Sequence, residues 1–199
     1  MQSFKEFIGE EKPKDYSLEW DVDSFGKMAY YRKKLGFGDI IDNMVANDLS
    51  LRSLEGSPTI VRQSFNVADN MLKMNGLKGG PIDVFIYTCR GCELTSLEGA
   101  PERCNTFNAV SNHISSLEGI GKRYLKECKI LLLSINPLES NFLGLLRVKE
   151  LTQFKIKGNE LARPWVAANI INDHLQGKRD VDDCFEELTR KGFKEYAKF

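Results

Sequence analysis

Leu94-Thr95-Ser96-Leu97-Glu98-Gly99-Ala100-Pro101 is the stretch whose reading decides the fold, because it recurs. Leu51-Arg52-Ser53-Leu54-Glu55-Gly56-Ser57-Pro58 is an earlier copy, and Ile114-Ser115-Ser116-Leu117-Glu118-Gly119 a later one. Gly76-Leu77-Lys78-Gly79-Gly80-Pro81 is a weaker copy. Self-similarity at a steady period marks a chain of stacked units, so it is read before any local signal. Gly and Pro after the Leu-Glu pair let the chain turn back tightly. A second register runs through residues 47–161, an Asn or Cys followed two positions later by an aliphatic residue. The pairs are Asn47/Leu49, Asn70/Leu72, Cys92/Leu94, Asn112/Ile114, Asn136/Leu138 and Asn159/Leu161. By subtraction, successive anchors lie 23, 22, 20, 24 and 23 residues apart. Five and three positions upstream of the anchors stand Phe65 and Val67, Tyr87 and Cys89, Phe107 and Ala109, Leu131 and Leu133, Phe154 and Ile156. Alternate apolar residues point one side of a short strand into a core. The first unit breaks this pattern, with Asp42 and Met44.

These residues resemble the leucine-rich repeat, whose pattern is L-x-x-L-x-L-x-x-N/C-x-L with a period of about 20 to 29 residues. The resemblance covers about residues 42–161 and implies an α/β leucine-rich-repeat solenoid. A short parallel sheet would line its concave face, with strands near residues 64–68, 84–89, 105–110, 129–134 and 152–157. Stacked Asn side chains would form a buried ladder that satisfies backbone groups of neighbouring turns. Cys92 stands in for Asn in one turn, as the pattern permits. Turns this short leave little room for full helices on the convex side. The Leu-x-Ser-Leu-Glu-Gly-x-Pro copies also look like repeats scattered through proteins of large tailed phages and some bacterial effectors.

The flanks divide the rest of the chain. Residues 1–11 read as an amphipathic N-terminal segment, with Phe4, Phe7 and Ile8 on one helical face and Pro13 as its stop. This opening resembles the head-targeting peptide of internal head proteins in large tailed phages, in which a maturation protease cuts after Ile/Leu-x-Glu. Ile8, Gly9 and Glu10 match that site; Gln2-Ser3 and Glu11 depart from the family's pattern. An ordinary helix packed on the solenoid accounts for the same residues. Residues 12–46 read as an N-terminal cap, which an open solenoid end requires. Within it, residues 16–22 alternate like a strand. Residues 24–35 fit a helix with Ser24 as its cap, Met28, Tyr31 and Leu35 inward, and Gly36 at its end. Residues 39–46 fit either a helix or the first strand. Residues 47–162 are the solenoid. Residues 163–199 are a C-terminal helical cap: one helix from Pro164 to Gly177 and a second from Asp180 onward, with Cys184, Phe185, Leu188 and Tyr196 buried.

Composition bounds the function. Lys+Arg and Asp+Glu both number 28, so no global charge attracts nucleic acid or an anionic membrane. No apolar run reaches the roughly 18 residues of a transmembrane helix. The five Cys are an odd number, and several fall at repeat positions, which predicts reduced thiols and a cytoplasmic protein. The expected setting is a host cytoplasm, or a virion interior if the chain is phage-encoded. Cys89-Arg90-Gly91-Cys92 is a CxxC, but both thiols already have repeat roles and Cys104 and Cys128 make no second close pair, so no metal site is expected. His113 and His174 have no evident catalytic partner. The recurring Glu55, Glu98 and Glu118 are explained by turn geometry. No cofactor is expected.

The expected function is non-enzymatic binding of a protein partner on the concave face. Its outward residues are predicted to be Asn66, Ala68, Ile86, Thr88, Arg90, Thr106, Asn108, Val110, Ile130, Leu132, Ser134, Gln153, Lys155 and Lys157, polar at one end, apolar in the middle and basic at the far end; the expected partner-binding residues are Asn66, Thr88, Arg90, Asn108, Val110, Ile130, Leu132, Lys155 and Lys157. Two alternatives stand beside it. One is an enzyme with a site between solenoid and C-terminal cap, using His174 with Asp173 or Asp182. The other is nucleic-acid binding through Lys149, Lys155, Lys157 and Arg163.

Overall fold

The structure is a computed structural model and describes residues 15–157, 162–177 and 180–199. The N-terminal segment, with Ile8 and Glu10, and the last predicted anchor pair, Asn159 and Leu161, lie outside the described residues. The strands are β1 (Asp15–Ser17), β2 (Ile40–Val45), β3 (Ile60–Asn66), β4 (Asp83–Thr88), β5 (Arg103–Asn108), β6 (Glu127–Leu132) and β7 (Gln153–Lys155). They form one parallel sheet in chain order, wound as a β-solenoid of about five turns with a few helices. Between β2 and β7 the connections hold only short 3-10 helices, at Leu72–Met74 and Phe142–Arg147.

Strand register stacks like on like. Tyr16, Met44, Phe65, Tyr87, Phe107, Leu131 and Phe154 are successive cross-strand partners facing inward. The Tyr87 ring sits 5.2 Å from Phe65 and 5.5 Å from Phe107. Ile41, Val61, Val84, Cys104 and Cys128 form a second buried column, three or four residues earlier in each strand. Each fully buried large side chain contributes about 1.5 to 3 kcal/mol, so these columns hold the turns together.

Met44 aligns with Phe65, which places the first anchor two residues later than the sequence reading has it. Leu49 and Leu51 are buried there, whereas Asn47 is exposed. The inward pair of that unit becomes Met44 and Ala46, both fully buried, and the exceptional first unit disappears.

The anchors bond to neighbouring backbone. Asn70 Oδ1 accepts from the N–H groups of Leu49 (3.1 Å) and Leu51 (2.8 Å), and its Nδ2 donates to Ala46 O (2.8 Å) and Val67 O (2.9 Å). Asn112 repeats this, accepting from Cys92 N (3.0 Å) and Leu94 N (2.9 Å) and donating to Cys89 O and Ala109 O, both 3.0 Å away. Asn136 accepts from Ile114 N (3.0 Å) and donates to Ala109 O (2.9 Å) and Leu133 O (3.0 Å). Cys92 donates its thiol to Val67 O at 3.0 Å.

The repeated Leu-Glu-Gly is a type II turn. Ser57, Ala100 and Ile120 donate their N–H to the carbonyls of Leu54, Leu97 and Leu117 at 2.9, 2.9 and 3.1 Å. Gly56, Gly99 and Gly119 have φ of 90°, 83° and 83°. Gly99 is doubly constrained, since a Cβ there would lie 2.3 Å from Lys78 N in the preceding turn. The recurring Ser has a role too: the Oγ atoms of Ser53, Ser96 and Ser116 accept from the N–H of Glu55, Glu98 and Glu118. The three Glu side chains stay at the surface, exposed.

The strands end one or two residues before the predicted ones, and β3 begins four residues earlier. The residue ahead of each anchor is left-handed, and this ends the regular strand: Asp48, Asp69, Gly91, Ser111 and Ile135 have φ of 56°, 58°, 65°, 57° and 59°. Inter-turn hydrogen bonding continues past the strand end, as in Val67 N to Thr88 O and Cys89 N to Asn108 O, both 2.8 Å.

At the N-terminal end, residues 40–45 are strand, not helix. The predicted strand over 16–22 shrinks to β1, followed by a 3-10 turn over Val22–Ser24. The helix α1 spans Met28–Leu35 and begins after Lys27; Ser24 instead accepts from Gly26 N through its Oγ, at 3.2 Å. Gly36 closes α1 in the left-handed conformation as expected, but Leu35 points out, 44% exposed. At the other end α2 (Arg163–Gln176) packs beside β7 and the 3-10 helix over Phe142–Arg147, and α3 (Val181–Arg190) packs on α2 and that 3-10 helix. Asn172 of α2 bonds the backbone of edge strand β7 twice: its Oδ1 accepts from Phe154 N at 3.1 Å and its Nδ2 donates to Phe154 O at 2.8 Å. Asp180 caps α3 by accepting from the N–H of Asp182 and Asp183. The helix stops at Arg190, and the tail returns so that Phe142 N and Leu143 N donate to Tyr196 O (3.0 Å) and Lys198 O (3.1 Å). Cys184, Leu188 and Tyr196 are buried as predicted, while Phe185 is exposed. Among the described residues no helix is long and apolar enough to cross a membrane.

Candidate partner-binding face

The register that stacks aromatic residues inward stacks a different set outward. Val45, Asn66, Thr88, Asn108, Leu132 and Lys155 are successive partners in one row. Asn43, Ser64, Ile86, Thr106, Ile130 and Gln153 make the row beside it. Neighbouring strands of a sheet are about 4.8 Å apart, so each row is a ruler of side chains crossing the solenoid. Six of the predicted partner-binding residues fall in these rows: Asn66, Thr88, Asn108, Leu132 and Lys155 in the first and Ile130 in the second. Ala68 and Ser134, predicted outward, are buried instead, because the left-handed residue that follows each ends the alternation. Arg90, Val110 and Lys157 lie just past the strand ends, on the rim where the chain leaves the sheet. Asn66 and Asn108 are half-buried and partly committed to the fold: their Oδ1 atoms accept from the N–H of Ala68 (3.1 Å) and Val110 (3.2 Å).

Sequence reasoning missed Phe85, which is 54% exposed next to Ile86. Counting back from the anchor in steps of two skips it. The two residues between the inward positions of L-x-x-L both face out, as Phe85 and Ile86 do between Val84 and Tyr87. Phe85 helps line an open groove of about 420 Å³ over the starts of the strands, together with Arg62, Asp83, Arg103, Glu127 and Lys129.

The arginines of this face are each paired with a carboxylate. Arg62 meets Asp42 at 3.3 Å, Arg90 meets Asp69 at 3.4 Å and Arg103 meets Asp83 at 2.7 Å, each across adjacent turns. Asp83, with Glu127 and Glu102 adding a smaller effect, raises the pKa of Arg103. Lys129, Lys155 and Lys157 have no carboxylate partner among the described residues. Beside them stand half-buried Ile130 and Leu132, and Ile135, which is 67% exposed.

Ile135 stands out in its column. Asp, Gly and Ser tolerate the left-handed conformation, and they hold the other four positions. A β-branched residue there is a genuine outlier, at a cost of about 1 to 2 kcal/mol. With Ser111, Asn112, His113, Asn136 and Pro137, Ile135 lines a shallow, open depression of about 540 Å³.

The other residues singled out for chemistry are placed as follows. All five Cys are buried and free. Burial pushes the Cys89 thiol well up and raises Cys92 to about 11. Cys104 and Cys128 are strand partners, and contact with Cys128, then burial, pushes Cys104 far up. Thiols held protonated are poor nucleophiles and poor metal ligands. Among the described residues no three His, Cys, Asp or Glu come together as a metal site. His174 pairs with neither Asp173 nor Asp182: its Nε2 lies 3.0 Å from Glu187 Oε2. Lys191, 2.6 Å away, and then His174 hold the Glu187 carboxyl below its usual range. Of the basic set, Lys149 is bonded to Glu127 at 3.2 Å and Arg163 to Glu195, so among the described residues Lys155 and Lys157 are left without a carboxylate partner.

The chain matches no protein-family model, and no curated protein or solved structure matches it.

Proposed function

We propose that this protein is a leucine-rich-repeat module that binds a protein partner across the outer face of its sheet and does no chemistry on it. The observation that carries the reading is the pair of outward rows from Val45 to Lys155 and from Asn43 to Gln153, which set polar, aliphatic and basic side chains at strand spacing. Solenoids with such surfaces bind extended partners. The repeat assignment is supported by Val84, Tyr87, Cys89, Cys92 and Leu94, and by Cys104, Phe107, Ala109, Asn112 and Ile114, which occupy the L-x-x-L-x-L-x-x-N/C-x-L positions and are all buried. In this reading residues 12–46, whose β2 already stacks as a repeat strand, and residues 163–199 are the caps, and the Asn172 bonds to Phe154 are how the second one closes the sheet edge.

The test is affinity capture from cells of the source, with cross-linking, using the intact chain and an Arg90→Glu/Leu132→Glu/Lys155→Glu variant. The partner captured by the wild type is expected to be lost with the variant, while its Tm stays within a few degrees of the wild type's. Capture that survives the triple variant moves the interface off the sheet and sinks this reading.

A further inference from the structure

The outer face is electrostatically uneven, and that unevenness identifies what binds at one end. Arg62, Arg90 and Arg103 in the first turns each have a carboxylate from an adjacent turn. In the last turns Lys129, Lys155 and Lys157 have none among the described residues. The three lysines border an aliphatic strip. Lys129 precedes Ile130 on β6, and Lys155 is the strand partner of Leu132. Lys157 donates its N–H to Ser134 Oγ at 2.8 Å, which sets it beside the backbone leading into Ile135.

Ile135 is a second, independent observation. It is β-branched, left-handed at φ 59° and 67% exposed, where the equivalent residues are Asp48, Asp69, Gly91 and Ser111. Neither the strain nor the exposure benefits the free chain. Backbone strain of this kind clusters where a ligand is clamped.

We infer that the β6–β7 end of the face binds an acidic protein segment carrying aliphatic or aromatic anchors, with Ile135 and Leu132 receiving an anchor and Lys129, Lys155 and Lys157 facing its carboxylates. The inference rests on the protein-binding reading and narrows it to a place and a partner chemistry. Nucleic acid is the poorer fit. Single strands are held by aromatic side chains stacked on bases, and this strip is Ile130, Leu132 and Ile135.

Random linear peptides displayed on phage are selected on the full-length chain. The enriched peptides are then synthesised and titrated by fluorescence anisotropy. The expected winners carry Asp or Glu around Leu, Ile or Phe, and bind more weakly as salt is added. Lys155→Glu/Lys157→Glu should weaken them by at least about tenfold. Ile135→Asn should weaken them too while leaving Tm equal or higher, because Asn tolerates the left-handed conformation. Winners that ignore these variants but are lost with Arg62→Glu/Arg103→Glu overturn this inference and leave the protein-binding reading standing. Basic winners overturn it likewise. If no peptide is enriched, and oligo(dT) or oligo(U) binds in a way that Lys155→Glu/Lys157→Glu abolishes, both readings fall in favour of nucleic acid; enrichment of nothing with no oligonucleotide binding counts against both.

Discussion

The turn anchored by Asn112 and the turn anchored by Cys92 solve one problem in two ways. Each anchor must satisfy buried backbone groups of the turn before it. Asn112 does so with its amide, accepting from two N–H groups and donating to Cys89 O, Ala109 O and Val110 O. Cys92 has one thiol proton, which goes to Val67 O. Part of the missing capacity comes from the backbone: Cys92 O accepts from Leu72 N at 3.2 Å. The residue after Cys92 is left-handed, with Glu93 at φ 58°. Ser50, after the anchor Leu49, is left-handed too, at φ 52°. After Asn70 the next residue, Met71, has φ −99°, and neither His113 nor Pro137 has a positive φ. A side-chain amide and a reversed backbone are therefore alternative ways to complete the same turn.

The sharpest test of this comparison removes both anchors. Asn112→Ala strands the N–H groups of Cys92 and Leu94, and buried unpaired groups cost about 1 to 3 kcal/mol each. A loss of about 4 kcal/mol is expected, read as a fall in the urea midpoint with unchanged slope. Cys92→Ala removes a single weak donor and should cost about 1 kcal/mol. Equal losses would show that the two anchors carry the same load.

Next in size is the backbone half of the comparison. Glu93→Gly relieves a left-handed non-glycine residue and should stabilise by about 1 kcal/mol. His113→Gly, at the same position of the Asn112 turn, meets no such strain and should destabilise by roughly 0.5 to 1 kcal/mol through added unfolded-state entropy. The opposite signs are the prediction; a gain at both positions would mean that the conformation of Glu93 is not set by its anchor.

These turns also show which features the residues announce. The buried columns were legible because burial, period and Asn or Cys identity all point the same way at Phe65, Tyr87, Phe107 and Leu131. The first unit was misread because Asn47 mimics an anchor two residues early, while the true position holds Leu49, an aliphatic residue with no polar signature. The outward rows followed from the register, so most of the candidate face was legible. Phe85 was not, since it lies where the strand departs from strict alternation. The pairing of Arg62, Arg90 and Arg103 was hidden because it joins residues about 20 apart, and only the stacking of turns brings them together. The Phe185 and Leu35 errors share a cause: helical period says which residues share a face, but not how wide a face the neighbouring element covers.

The smallest effect probes the interior of the Cys92 turn. Tyr87 stands in a column whose neighbours on both sides are Phe65 and Phe107, and its hydroxyl is buried with no hydrogen-bond partner among the described residues. A Cβ on Gly80 would lie 2.8 Å from that oxygen, so the glycine leaves room for it. Tyr87→Phe removes an unpaired buried hydroxyl and keeps the ring contacts, and should stabilise by up to about 1 kcal/mol. The pH dependence gives an independent check. Burial raises the Tyr87 pKa well above its ordinary 10.0, so the folded state holds the proton that the unfolded chain gives up. Stability is then unaffected below about pH 10 and falls as the pH rises beyond it, because the unfolded chain ionises first. The gap between Tyr87→Phe and wild type should widen above pH 10 in chemical denaturation. A gap that stays constant across that range would mean the hydroxyl reaches water or a partner, and that the Cys92 turn is looser inside than its Asn112 neighbour.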